Sequence, residues 1–157
     1  MELGHQVPNF NFNATNTLGA QLTDYLGHYL VLYFYPKDAT PGCTLEGQEF
    51  RDAFPQFQAL NVVLFGISRD TLSSHERFKE KQAFPFELIS DKEEQLCALF
   101  DVIKMKSMYG KQVRGIERST FIIDPQGKLV HAWRKVTVKG HVADVLHTVE
   151  QHLSQRG

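Results

Sequence analysis

Cysteine is almost absent: the chain has two in 157 residues, Cys43 and Cys97. Two are too few for a disulfide scaffold, and a reducing compartment is the default for such a chain. Long apolar runs are absent too. The longest, "YLVLYFY" at 29–35, has the length of a buried strand and falls far short of the ~20 residues that cross a bilayer. Charge of one sign is missing: 17 Lys and Arg offset 18 Asp and Glu, the net charge is −1, and no basic block stands out. Nucleic acid is therefore not expected as a partner. The opening stretch "MELGHQVPNFNFNATNTLG" lacks a basic segment followed by an apolar one, so no secretion signal is expected there. These absences point to a cytoplasmic protein with no membrane partner.

What is present fits one compact domain over residues 1–157. Hydrophobic residues make up 42% of the chain, and twelve Phe imply a bulky core. "NFNFNATN" alternates apolar and polar residues and predicts a peripheral strand ending near Gly19. "YLVLYFY" reads as a central strand buried on both faces and stopped by Pro36. From Cys43 onward Phe50, Phe54 and Phe57 recur at helical spacing, with Cys43 on the same face and Pro55 expected to kink or split the helix. "NVVLFGIS" (61–68) and "FELIS" (86–90) read as strands around the helix "TLSSHERFKEKQAF", capped by Thr71 or Ser73. Ser90 with Glu93, or Asp91 with Glu94, gives a capping-box pattern before "QLCALFDVI". Residues 104–117 lack a period and predict a long surface loop. "STFIID" and "KLVHAWRKV" form a hairpin, and the last helix turns Val142, Val145, Leu146 and Val149 inward. The order implies an α/β fold: a mixed central sheet with helices on both faces.

Cys43 carries the chemistry. A thiol attacks as thiolate, and a free cysteine ionises near pH 8.5. At a helix start the sulfur faces unpaired N–H groups and the positive end of the macrodipole, which favour the anion. Pro41 and Gly42 suit the tight turn from strand to helix, and Thr40 offers a hydroxyl three residues before the sulfur. The competing reading of a lone cysteine is a small buried hydrophobe, but a filler cysteine needs no Thr-Pro-Gly turn.

"YPKDATPGCTLEGQEFRD" resembles the active-site segment of the peroxiredoxins, whose Pro-x-x-x-Thr-x-x-Cys pattern is filled here by Pro36, Thr40 and Cys43. The resemblance runs on through "GISRD", "FPFELISD" and "GIERSTFIIDPQGKLVHAWRKVTVKGH", and is closest to the bacterioferritin comigratory protein (BCP/PrxQ) subfamily. It implies a thioredoxin-like fold and reduction of hydroperoxides by Cys43 through a sulfenic acid. It implies that Thr40 bonds the peroxide, that Pro36 shields the site and that Arg118 stabilises the thiolate and the developing oxygen charge. Gly42 and Cys43 N–H groups are further donors. Glu46 either holds Arg118 or simply complements the helix dipole. Arg114 and Arg134 are expected at the surface and Trp133 in packing. The seven His show no metal-ligand spacing, so no metal, haem or other cofactor is expected.

The subfamily often places a resolving cysteine five residues after the reactive one, or in the next helix. Those positions are Gln48 and Lys79 here. Cys97 is the remaining internal candidate. The favoured expectation is a one-cysteine cycle in which thioredoxin, glutaredoxin or glutathione attacks the sulfenic acid. A Cys43–Cys43 disulfide between chains is a further option for a protein expected to be a monomer, or else a dimer. A thiol–disulfide oxidoreductase would use Cys-x-x-Cys, whose first position is Thr40 here. A redox sensor or holdase with slow turnover is the alternative from another class.

Overall fold

The computed structural model describes residues 1–156. The chain begins with a hairpin, β1 (Asn11–Ala14) and β2 (Thr17–Gln21), and a 3-10 turn at Leu22–Tyr25. There follow β3 (Leu30–Phe34), α1 (Pro41–Ala59), β4 (Val63–Ser68), α2 (Leu72–Gln82), β5 (Glu87–Ser90) and α3 (Gln95–Leu99). The hairpin β6 (Ile103–Met108) and β7 (Lys111–Ile116) precedes β8 (Ser119–Ile123), β9 (Leu129–Trp133) and α4 (His141–Arg156).

Seven strands form one mixed sheet in the order β2-β1-β5-β4-β3-β8-β9. β3, β4 and β5 run parallel, and β8 lies antiparallel to β3. The apolar run at 29–35 lies inside this sheet, between β4 and β8, and is buried at every residue. Its alternation creates two cores. Leu30, Leu32 and Phe34 pack on one face with Phe10, Phe65, Leu96, Cys97 and Phe100. Val31, Tyr33 and Tyr35 pack on the other with Cys43, Phe50, Phe57, Phe78, Val142, Val145 and Val149. Helices α1, α2 and α4 therefore cover the second face, while short α3 serves the first. Right-handed crossovers from β3 to β4 and from β4 to β5 require α1 and α2 to share a face. Among the described residues no helix is long and apolar enough to cross a membrane.

Four local expectations need correction. Residues 104–117 form an antiparallel hairpin rather than a loop, paired from Ile103↔Ile116 to Met108↔Lys111. Its turn, Tyr109–Gly110, has positive φ at both residues, as a tight hairpin requires. Most of its residues face solvent on both sides, so no apolar alternation marks the strands. Near the N-terminus the chain reverses at Thr15–Asn16, with Asn16 in the left-handed region, and Gly19 lies within β2. Helix α1 continues unbroken through Pro55, which sits on the exposed side. Neither capping box forms before α3. Asp91 instead accepts from the Leu96 and Cys97 N–H groups at 3.0 and 2.7 Å.

Candidate active site

β3 delivers the chain to the site, and α1 begins it. Thr40 is the N-cap of α1 with extended backbone, and Pro41 occupies the first helical position, where a missing N–H costs nothing. Thr40 Oγ1 donates to the Lys37 carbonyl at 2.8 Å, and its own carbonyl accepts from Thr44 at 2.9 Å. Cys43 is thus the third residue of the helix, its side chain 2% exposed.

Arg118 reaches this sulfur from the segment just before β8. Its Nη2 lies 3.5 Å from Cys43 Sγ, and its Nη1 donates to Glu46 Oε1 at 2.5 Å. Gly42 makes room for the guanidinium, since a Cβ there would stand 3.2 Å from Arg118 Nη2. Burial works against the Arg118 charge, but Glu46 and Cys43 outweigh it and hold its pKa above the ordinary value. Glu46 is fully buried, and its Oε2 has no hydrogen-bond partner. Burial pushes its carboxyl up to about 7, against the pull of Arg118.

Pro36 and Arg118 share the wall of a cleft of ≈ 430 Å³ with Met105, Lys106, Glu117, Lys135 and Val136. Hairpin β6–β7 supplies one side of this cleft and the turn after β9 another.

The AhpC/TSA family model matches residues 3–132. Peroxiredoxin Bcp of Xanthomonas campestris is 54% identical over 154 residues, covering 96% of each chain. The solved structure of Xylella fastidiosa PrxQ, as a cysteine mutant, superposes with a TM-score of 0.92 at 45% identity, covering 98% of each chain. The bacterioferritin comigratory protein of Xanthomonas campestris superposes at 0.86 and 49% identity over 91% of each. The chain belongs to the AhpC/TSA family. It is a peroxiredoxin of the Bcp type, a thiol-dependent antioxidant peroxidase with a thioredoxin-like fold.

In this peroxiredoxin Gln48 and Lys79, the positions where the resemblance would place a second cysteine, both have partners. Gln48 Nε2 donates to Gln82 Oε1 at 2.9 Å, tying α1 to α2, and Lys79 pairs with Glu87 at 3.1 Å. Cys97 is wholly buried in the core on the far side of the sheet from Cys43. Burial, reinforced by Asp91, pushes its thiol far above the ordinary range, so it stays protonated.

Sequence reasoning missed two groups beside the site. Tyr33 stacks on Phe50 with ring centroids 4.5 Å apart, and its buried hydroxyl has no partner. Burial first, then the charges of Glu46 and Cys43, raise its pKa well above the usual value. Gly66 leaves the space for this ring, since a Cβ there would come within 2.7 Å of Tyr33. The second group holds the loop between Pro36 and Thr40. Asp38 accepts from Tyr35 Oη at 2.6 Å, His75 Nδ1 at 2.7 Å and Ser74 Oγ at 2.7 Å. The Asp38 N–H donates to Asp70 Oδ2 at 3.0 Å. Burial opposes the Asp38 charge, but these donors, His75 foremost, hold its carboxyl below the ordinary range. Asp38, Asp70 and His75 lie close enough to ligate an ion. However, both Asp38 oxygens are occupied, and His75 Nε2 faces the Ile89 carbonyl at 2.9 Å, so the set serves as a clamp on α2. The partners are 37 residues apart, and no local pattern announces them.

The remaining candidates lie elsewhere. Exposed Arg114 pairs with Glu94, and Arg134 donates to the Phe100 and Asp101 carbonyls. Trp133 packs against His131 and His141. His141 Nε2 lies 2.7 Å from Thr120 Oγ1, and burial lowers its pKa to about 4.

Proposed function

We propose that Cys43 is the peroxide-attacking thiol of a one-cysteine cycle closed by an external thiol. The Cys43 thiolate attacks the terminal oxygen of hydrogen peroxide or an organic hydroperoxide, and the O–O bond breaks. The departing oxygen takes a proton and leaves as water or alcohol, and Cys43 becomes a sulfenic acid. Arg118 offers positive charge to the thiolate and to the leaving oxygen, and Glu46 positions Arg118. The Thr40 hydrogen is committed to Lys37, so its lone pairs accept from the peroxide O–H. The Gly42 and Cys43 N–H groups add donors, and Pro36 keeps water from the sulfur. Alkyl peroxide reduction is named as an activity of the Xanthomonas campestris relative, which supports the organic substrate.

A second thiol then attacks the Cys43 sulfur and displaces water, forming a mixed disulfide. A further thiol releases Cys43 and leaves as the disulfide. Thioredoxin, glutaredoxin and glutathione are the candidate donors, acting on a cytoplasmic monomer that spans 1–157 as one domain. The observation that carries the one-cysteine cycle is the placement of Cys97 across the sheet from Cys43. Steady-state peroxide consumption with each donor alone tests it. Turnover with one of them, retained in Cys97→Ala and lost in Cys43→Ser, is the expected result. Turnover with none would favour a redox sensor instead.

A further inference from the structure

The cleft beside Arg118 carries charge that neither hydrogen peroxide nor an uncharged organic hydroperoxide needs. At ≈ 430 Å³ it has room for a small organic molecule. Its rim carries Lys106 and Lys135, both exposed, against a single acid, Glu117. This local excess of cations stands on a chain whose net charge is −1. Met105 and Val136 supply apolar wall between the charges.

Lys135 is held there at a conformational cost. Its φ is +53°, a region that costs a non-glycine residue about 1 kcal/mol or more. The next N–H, of Val136, donates to the Arg118 carbonyl at 2.9 Å, so this turn is fastened to the residue that touches Cys43. A ligand seated between the two lysines therefore borders the reacting sulfur through Arg118.

We propose that this cleft is the docking subsite for the reducing thiol, and that it selects small carboxylate-bearing thiols of the glutathione type. The carboxylates meet Lys106 and Lys135, and the methylene stem lies on Met105 and Val136. The thiol faces the Cys43 sulfenic acid past Arg118. The thiolate sulfur bonds to Cys43 Sγ, the S–O bond breaks, and the hydroxide leaves as water after taking a proton. A second thiol attacks the mixed disulfide, freeing Cys43 as thiolate and releasing the oxidised disulfide. The subsite rests on the external-thiol cycle proposed above.

The test starts from protein oxidised with one equivalent of peroxide and follows reduction by mercaptopropionate, mercaptoethanol and cysteamine in rapid mixing. Rates are referred to thiolate concentration, so that ionisation of the reagents cancels. The anionic thiol is expected to react about tenfold faster than the neutral one, with the cationic one slowest. Rising salt should compress the series. Lys106→Ala with Lys135→Ala should collapse it, while Lys→Arg at both positions should preserve it. Because the readout is a ratio within one variant, partial loss of active protein does not affect it. Equal rates for all three thiols in the unmodified protein would overturn the subsite alone. Charge discrimination found only between carboxylate-bearing and neutral hydroperoxides in the oxidation step would assign the cleft to the other substrate. A Cys43 that yields no thiol-reactive sulfenic acid would overturn the external-thiol cycle, and the subsite with it.

Discussion

Cys43 and Cys97 lie on opposite faces of the seven-stranded sheet, Cys43 in the core with Tyr33 and Phe50, Cys97 in the core with Phe34 and Phe100. A disulfide needs Cα atoms about 4.4–6.8 Å apart. The strands themselves stand between these two sulfurs, so a bridge requires α1 or α3 to leave its core. After one equivalent of peroxide, intact-mass measurement should find one oxygen on Cys43 or a mixed disulfide with added thiol. A rapid stoichiometric Cys43–Cys97 bridge would refute the one-cysteine cycle. Cys97→Ala should keep most of the activity. Cys97→Ser puts a hydroxyl into the apolar core and should cost about 1–3 kcal/mol in denaturant unfolding.

The Arg118–Glu46 pair gives a second expectation. Arg118→Ala removes the cation beside the sulfur, and the buried Glu46 carboxyl, already raised to about 7, then takes up a proton. The peroxide step should slow about 10²-fold, and the fold should lose stability increasingly above pH 7, where Glu46 of the unmodified protein is ionised. Adding Glu46→Gln removes the titrating group, so the double variant should regain that stability but not rate. If rate returns together with stability, Arg118 acts on the fold alone.

Glu46 also sets a pH dependence. Its pKa is raised from 4.5 to about 7, so between those values the folded chain holds a proton that the unfolded chain lacks. The Glu46 contribution to stability therefore rises as pH falls through 7 towards 4.5, and its penalty is fully present above 7. The shift corresponds to about 3 kcal/mol at most. In thermal unfolding across this range, Glu46→Gln should lose more stability than the unmodified protein as pH falls. Identical pH profiles for the two proteins would show that Glu46 does not titrate there.

His141 acts in the opposite direction. Its pKa is lowered from 6.5 to about 4, so in that window the unfolded chain binds the extra proton. Stability falls as pH drops through 6.5 towards 4. His141→Gln should flatten this acid loss while keeping a polar group near Thr120. In the unmodified protein the two groups oppose each other below neutrality, and each single variant should expose the other's slope.

The strands and helices that bury a face were legible in the chain. The run at 29–35, the Phe50–Phe57 period and Val142–Val149 all match their observed burial, because a one-sided environment imprints its period on the sequence. Hairpin β6–β7 was not legible for the converse reason: with solvent on both sides, nothing selects an alternating pattern. The continuity of α1 through Pro55 was likewise hidden, since packing of one face against the sheet outweighs one missing hydrogen bond.

For the site, the segment from Pro36 to Cys43 placed the candidate cysteine at a helix start by itself, because the turn and the helix start that surround the sulfur are local. Arg118 was legible through its resemblance to a known pattern. That Glu46 is buried beneath Arg118 with an unpartnered oxygen depends on contacts across 72 residues. So does the Asp38–His75 clamp, across 37. The chain alone offered Cys43 as the candidate thiol and showed no cysteine at positions 48 and 79. Which face of the sheet received Cys97 was decided only when the strands paired, since burial tells a residue to be inside without telling it on which side.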